Sequence, residues 1–139
     1  MPNHHSLRCI PLFANVDANE LEVIEEQCRW LSYAPGEEIL AYKASDDDVY
    51  FMISGEAKVV IYSTQGRLVD FRELVAGDVF GEYAAIDGGS RSASIEAKVE
   101  CLVAVISSHD FQYLIKHNPT VSHALVLHLT RQLRVLTRR

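Results

Sequence analysis

The residue types best suited to binding chemistry lie between Gly77 and Ala97. Arg91 follows a glycine-rich loop, and its guanidinium can pair two oxygens of a phosphate group in a fork. Ser92 adds a hydroxyl or amide donor beside it. A helical turn starting near Gly81 would leave free backbone N–H groups for an anion, and the glycine would let a ligand approach the main chain. Together these residues predict a phosphate-binding site.

Glu82 is an unexpected neighbour for an anion site, because its carboxylate carries the same sign of charge. Its presence makes sense if the carboxylate accepts a hydrogen bond from a hydroxyl group, such as one on a ribose. A phosphate and a sugar hydroxyl together indicate a nucleotide. The alternative is an Arg91–Glu82 ion pair that only ties down a surface loop, and each residue taken singly favours that interpretation.

Residues arranged for catalysis or for holding a metal are scarce in this sequence. It contains no GxxxxGK[ST] loop and no GxSxG nucleophile elbow. Ser108, His109 and Asp110 are adjacent at a predicted helix start, so their side chains point apart and do not converge as a triad would. The cysteines lack a CxxC pair, and His109, His117, His123 and His128 lack HxxxH spacing, so we expect the histidines to be surface or partly packed side chains. We therefore expect no enzyme, no metal and no cofactor.

The whole-chain composition is that of one acidic globular domain. The chain has 139 residues and a formal net charge of −6, which disfavours a dedicated nucleic-acid binder. No apolar run approaches the ~20 residues of a membrane span, and the N-terminus lacks the apolar core of a signal peptide. We expect a cytoplasmic protein without a membrane partner.

The elements that must position the site change character along the chain. Asp17 and Glu20 form a capping-box pattern before a helix, which Pro35-Gly36 ends. From residue 37 to residue 107, short apolar runs alternate with glycine-containing turns, a pattern typical of a sandwich, a barrel or a jelly roll of antiparallel strands. A second helical region follows.

The C-terminal region predicts two helices. Ser107 or Ser108 can cap the first, and Asn118-Pro119 separates it from a long helix over residues 118–137. In the long helix, apolar residues follow a 3-4-3 spacing. This spacing fits two interpretations equally, a coiled-coil seam or one broad stripe that faces the core. The seam residues are Val126, Leu129, Leu133 and Leu136. We assign residues 1–6 to a disordered tail and residues 7–139 to a single domain.

The site segment, with the motifs FGEYAAI and SRSASIEA, resembles the phosphate-binding cassette of cyclic-nucleotide-binding domains. Roughly residues 7 to 137 are similar to the Crp/Fnr family, through PLFANVDANELEVI, the central hairpin segment and the C-terminal helices. The resemblance implies a mainly β fold with flanking helices, namely an antiparallel β jelly-roll barrel with an N-terminal helix and a long C-terminal helix.

The resemblance also implies roles for individual residues. Arg91 would pair the exocyclic phosphate oxygens, Glu82 would accept from the ribose 2′-hydroxyl, and backbone amides near Gly81, Glu82 and Ser92 would complete the phosphate site. The implied ligand-binding residues are Gly81, Glu82, Arg91, Ser92, Ala93, Val59, Phe71 and Leu74. The implied base contacts are Arg72, Gln132, Leu136 and Thr137, the last three across a dimer.

The predicted function is sensing of a cyclic nucleotide, cAMP or cGMP, by a regulatory domain. The first hypothesis is the effector-binding part of a Crp/Fnr-type transcription regulator, a homodimer through the C-terminal helix. It would reach DNA only through an output domain that would follow Arg139. The alternative is a regulatory module for a kinase, a cyclase or a channel, or a standalone sensor.

Overall fold

The computed structural model describes residues 6–41, 46–62, 68–89, 91 and 93–137. A short 3₁₀ helix, Pro11–Phe13, comes before the first α-helix. The α-helices are α1 (Ala18–Gln27), α2 (Glu82–Asp87), α3 (Ser108–His117) and α4 (Pro119–Thr137). The strands are β1 (Arg29–Tyr33), β2 (Glu38–Leu40), β3 (Val49–Ser54), β4 (Glu56–Tyr62), β5 (Leu68–Val75), β6 (Val79–Phe80), β7 (Ala93–Ala97) and β8 (Cys101–Ile106).

The strands form two antiparallel sheets of four strands each, in the orders β1-β8-β3-β6 and β2-β7-β4-β5. The predicted jelly-roll fold with flanking helices is confirmed, with one correction: the sheets are not closed into a barrel. At the edge of the first sheet, β6 has only two residues, and its ladder with β3 pairs only Tyr50 with Phe80 and Phe51 with Val79. An edge strand this short cannot carry a long ladder across to the second sheet, and among the described strands no ladder joins the two sheets.

The central strands β3 and β8 are buried on both faces. Alternate residues of a strand point to opposite faces, so the unbroken apolar runs VYFMI and CLVAVI can serve two cores. Phe51 and Ile106 belong to the cluster beneath the helices, whereas Met52 and Val103 belong to the cluster between the two sheets. The fold therefore has three layers: helices, one sheet, and a second sheet.

The helix caps match the sequence only in part. Ser107 caps α3 as predicted, since its Oγ accepts from the Asp110 N–H at 3.1 Å. The predicted capping box of α1 is wrong, because the side chain of Asp17 accepts no capping hydrogen bond. Glu20 instead accepts from the side-chain amide of Asn118 at 2.8 Å, which joins α1 to the turn before α4.

Helix α4 is anchored at its start and exposed further along. Val121 and Leu125 are buried, and Leu129 packs partly against the core. Val126 is 60% exposed and Leu136 is 71% exposed, so the stripe predicted from the sequence does not pack wholly on the domain body. None of the described helices combines the length and the hydropathy that a bilayer crossing requires.

Most of the predicted disordered tail, residues 1–5, lies outside the described part of the chain. The assignment of residues 7–139 to one domain stays a prediction.

Candidate functional site

A cavity of about 290 Å³ lies between the second sheet, the segment leading into α2, and the inner face of α4. Its apolar wall comes from strand residues, including Val59, Leu74 and Ile95. Its polar wall comes from the start of α2, from Arg91 before β7, and from α4. The arrangement offers a ligand an apolar surface on one side and concentrated charge on the other, which is the usual make-up of a small-molecule site.

Gly81 makes the turn from β6 into α2 possible. Its φ is +84°, a left-handed conformation that glycine adopts without strain. A Cβ atom at this position would lie 2.7 Å from Nη1 of Arg91 and 2.8 Å from the carbonyl oxygen of Asp48. The predicted helical turn is confirmed as α2, and the space beside Gly81 is filled by the arginine that the sequence places near it.

Arg91 is a buried cation whose guanidinium is held by three acceptors. Nη1 donates to the Gly81 carbonyl at 2.9 Å, and Nη2 donates to Asp46 Oδ2 at 3.0 Å and to the Asp48 carbonyl at 2.8 Å. Its Nε is buried and has no hydrogen-bond partner within the described structure. Leaving such a donor unsatisfied costs about 1–3 kcal/mol, and a phosphate oxygen is a group that would satisfy it.

Asp46 balances the charge of Arg91 and also accepts from Tyr50. The Tyr50 hydroxyl donates to the same oxygen, Asp46 Oδ2, at 3.2 Å. Burial, followed by the negative charge of Asp46, raises the pKa of Tyr50, so its hydroxyl keeps the proton that it donates. The guanidinium carbon of Arg91 lies 6.0 Å from the centre of the Tyr50 ring, within cation–π range.

Glu82 is a buried carboxylate, only 3% exposed, and its partner comes from α4. Its Oε2 lies 2.6 Å from Nε2 of His128. One residue further along α2, the Tyr83 hydroxyl donates to Oε1 of Gln132. Because positions four apart share a helix face, His128 and Gln132 attach α4 to α2 through two neighbouring polar contacts. The alternative Arg91–Glu82 ion pair is therefore wrong, since Arg91 pairs with Asp46 and Glu82 with His128.

No group of three or more His, Cys, Asp or Glu side chains in the described segments is placed to hold a metal ion.

The sequence profile of the family described as "Cyclic nucleotide-binding domain" matches residues 30–118. This chain belongs to the cyclic nucleotide-binding domain family.

Known relatives of this cyclic nucleotide-binding domain include transcription regulators and a channel. It is 30% identical over 119 residues to the cAMP-activated global transcriptional regulator CRP of Pasteurella multocida, covering 85% of this chain and 57% of that protein. It is 29% identical over 115 residues to potassium/sodium hyperpolarization-activated cyclic nucleotide-gated channel 1 of Homo sapiens, covering 83% of this chain and 12% of the channel.

A solved structure shares its fold: the catabolite activator protein of Thermus thermophilus, with a TM-score of 0.80 and 27% identity, covering 91% of this chain and 59% of that chain. The resemblance to the Crp/Fnr family is thus confirmed. The chain spans just over half the length of the transcription regulator from Pasteurella and a small part of the channel. The relatives named here are regulatory proteins and a channel rather than enzymes.

Eight of the twelve site residues predicted from the sequence line the cavity of this cyclic nucleotide-binding domain: Val59, Arg72, Leu74, Gly81, Glu82, Arg91, Ala93 and Gln132. Their roles toward a ligand stay predictions. Ser92 and the side chain of Phe71 lie outside the described residues. Leu136 and Thr137 do not line the cavity of the single chain, and Thr137 donates its hydroxyl to the carbonyl of Leu133 at 3.0 Å.

Among the residues that make polar contacts at the site, His128, Asp46 and Tyr83 were missed from the sequence. His128 is partly packed, as expected of the histidines, yet it pairs with the central carboxylate of the site. Its spacing of four residues from Gln132 was the available signal. Asp46 and Tyr83 carried no such signal, because nothing in their neighbourhoods indicates which distant residues they meet.

Proposed function

We propose that the cavity binds a cyclic nucleotide through its sugar and phosphate, with cAMP as the first candidate and cGMP as the second. In this proposal Arg91 pairs the phosphate oxygens, the amides around Gly81 complete the phosphate site, and Glu82 accepts from the ribose 2′-hydroxyl. Val59, Leu74 and Ala93 supply the apolar wall. The observation that carries the proposal is the buried guanidinium of Arg91, whose Nε has no acceptor in the described structure, on the wall of the cavity.

The proposal also requires acceptors and donors to be separated within the cavity. Arg91 and Glu82 lie on the same wall but are held by different partners, so neither charge neutralises the other directly. A cyclic nucleotide has the matching arrangement, because its phosphate is an anion and its 2′-hydroxyl is a donor. The family match and the relationship to a cAMP-activated regulator support the same ligand class.

The test is calorimetric titration of cAMP and cGMP into the native chain and into Arg91→Ala. We expect micromolar binding by the native chain and a loss of about 1.5–3 kcal/mol in the variant, or ~10- to 150-fold, because a charge-assisted fork is removed. Nucleotide recovered after the titration should be chemically unchanged, as expected for a sensor.

Lys116→Ala is the matched control, since it removes one positive charge from the exposed end of α3, away from the cavity. Thermal unfolding monitors whether the buried Arg91 position tolerates alanine, and Arg91→Lys keeps the charge while removing the fork. Failure of the folded native chain to bind either nucleotide would overturn the proposed function. Unchanged affinity in both Arg91 variants would overturn the role of Arg91.

As the biological setting we propose the ligand-sensing part of a Crp/Fnr-type transcription regulator in the cytoplasm, dimeric through α4. Its relatives CRP and catabolite activator protein support this setting. Ligand binding would then shift the population of two arrangements of α4, which requires different affinity for the two. DNA contact would need an output domain after Arg139.

A second setting, regulation of a channel or another output, is supported by the match to cyclic nucleotide-gated channel 1. The coding sequence after Arg139 distinguishes the two, because a helix-turn-helix there would support the first setting and another output domain the second.

A further inference from the structure

His128 lies on the inner face of α4, at the border of two cavities. It lines the proposed ligand cavity together with Glu82, and it also lines a second, larger cavity between α4 and the 3₁₀ helix. Its side chain is 24% exposed, whereas that of Glu82 is 4% exposed. The contact therefore ties a buried carboxylate of the site to the helix that closes it.

The contact engages only one of the two carboxylate oxygens. His128 Nε2 lies 2.6 Å from Oε2 of Glu82. His128 does not engage the other oxygen, Oε1. A carboxylate fixed at one oxygen has its rotamer set and still offers the second oxygen as an acceptor. Such preorganisation reduces the entropy lost when a ligand hydroxyl is bound.

Without His128 the Glu82 side chain would keep its burial and lose its partner. An unpaired buried carboxylate is costly, so the side chain turns toward water. That movement weakens it as an acceptor for a ligand hydroxyl. Arg91 is not the partner of Glu82, because both of its terminal nitrogens are bound to Asp46 and two backbone carbonyls.

We propose that His128 is a positioning residue of the nucleotide site: it holds Glu82 so that the other carboxylate oxygen accepts the ribose 2′-hydroxyl. The inference rests on the proposed function and adds α4 of the same chain to the sugar end of the site. A ribose bound there would contact Glu82, the same carboxylate that binds His128 of α4. The helix would therefore be in direct contact with a side chain that responds to the ligand.

The test compares cAMP with 2′-deoxy-cAMP, which differ only in the hydroxyl assigned to Glu82. Both are titrated calorimetrically into the native chain, His128→Leu and His128→Gln. The native chain should lose about 10-fold or more in affinity when the hydroxyl is removed, as expected for a hydrogen bond to a charged group. In His128→Leu, removing the 2′-hydroxyl from the nucleotide should lower the affinity by less than about 3-fold. His128→Gln keeps a hydrogen-bond donor, so its affinities for the two nucleotides should differ almost as much as those of the native chain.

His123→Leu is the matched control. His123 lies on the same helix and lines only the second cavity, and it is exposed. It should keep the full dependence on the 2′-hydroxyl. If leucine at position 128 prevents folding, His128→Asn keeps a polar side chain but is too short to reach Glu82, and it should show the same reduced dependence.

Native dependence on the 2′-hydroxyl in folded His128→Leu and in His128→Asn would overturn the positioning role. This includes an equal loss of affinity for both nucleotides, because that is the effect of a merely structural residue. Absence of cAMP and cGMP binding by the native chain is a different result, since it overturns the proposed function itself.

Discussion

The guanidinium of Arg91 already donates hydrogen bonds within the protein, and this limits the affinity that a ligand can gain from it. Asp46 and two backbone carbonyls engage both terminal nitrogens, while Nε is left without a partner in the described structure. A bound phosphate would therefore add a new hydrogen bond only at Nε. At the terminal nitrogens its oxygens would have to replace acceptors that the protein already supplies. Binding free energy is the surplus over such exchanges, which agrees with an expected affinity in the micromolar range.

Arg72 is the residue of the cavity wall that we expect to distinguish bases. It is exposed on β5. Burial and then the negative charge of Glu82 raise the pKa of Tyr83, and the positive charge of Arg72 opposes them. A guanidinium can donate to both O6 and N7 of guanine, whereas adenine presents a donor in place of O6. Arg72→Ala should therefore weaken cGMP binding more than cAMP binding, by about 1–3 kcal/mol of discrimination.

Competitive titration of the two nucleotides measures this discrimination directly. Arg72→Lys is the control, because it keeps the charge and loses the two-pronged geometry. An equal loss for both nucleotides in Arg72→Ala would show that Arg72 acts on the shared phosphate and not on the base.

At the scale of elements, α2 is the point where the site meets the helical layer. Gln112 of α3 donates to the Ala85 carbonyl at 2.6 Å, and His128 and Gln132 of α4 contact Glu82 and Tyr83. A short helix held by two others cannot shift alone, since its polar partners would be left unsatisfied. A ligand that moves α2 is expected to move α3 and α4 with it.

The second half of α4 presents an apolar surface that the domain body does not cover. Leu133 is 61% exposed and Leu136 is 71% exposed, and their spacing fits a helix–helix seam. We expect the native chain to dimerise through this surface, and the double substitution Leu133→Glu with Leu136→Glu to make it monomeric, because charges replace the apolar contact. Sedimentation velocity over a range of concentrations measures the change.

Val23→Glu is the control for this experiment, since Val23 is a comparably exposed apolar residue on α1, at 57%. It should leave the dimer intact. A native chain that stays monomeric at high concentration, with and without nucleotide, would contradict the predicted dimer.

For the whole molecule, the layered core places a titratable thiol in an apolar setting. Cys28 lies between α1 and β1 in the core beneath the helices, and its Sγ donates to the Ile24 carbonyl at 3.4 Å. Burial, with smaller contributions from Glu25 and Asp110, raises the pKa of Cys28 from 9.0 to about 12. The folded state therefore keeps a proton that the unfolded chain releases above pH 9.

Because of this difference, the free energy of unfolding falls as the pH rises above about 9. The contribution of Cys28 is fully present below about pH 9 and is lost as the pH rises toward 12, with a slope of up to about 1.4 kcal/mol per pH unit. Urea unfolding between pH 8 and pH 10.5 should show a shallower decline for Cys28→Ala than for the native chain. Cys9→Ala, at an exposed position, should keep the native slope; identical slopes for all three would contradict the prediction.

Local features of the site were predictable from the sequence because each depends on residues close together in the chain. The glycine turn at Gly81, the start of α2, the Ser107 cap and the proline start of α4 are set by short-range sterics and hydrogen bonds. Many short apolar runs between turns likewise predict antiparallel strands. The resemblance of the cassette then added the ligand class.

The tertiary structure alone decided which charges meet. Arg91 and Asp46 are 45 residues apart, and Glu82 and His128 are 46 residues apart, so their pairing depends on how strands and helices pack. The capping box at Asp17 was lost in the same way, because Glu20 reaches Asn118, 98 residues away. Whether two sheets close into a barrel is also a property of packing, since it depends on edge ladders that no local pattern specifies.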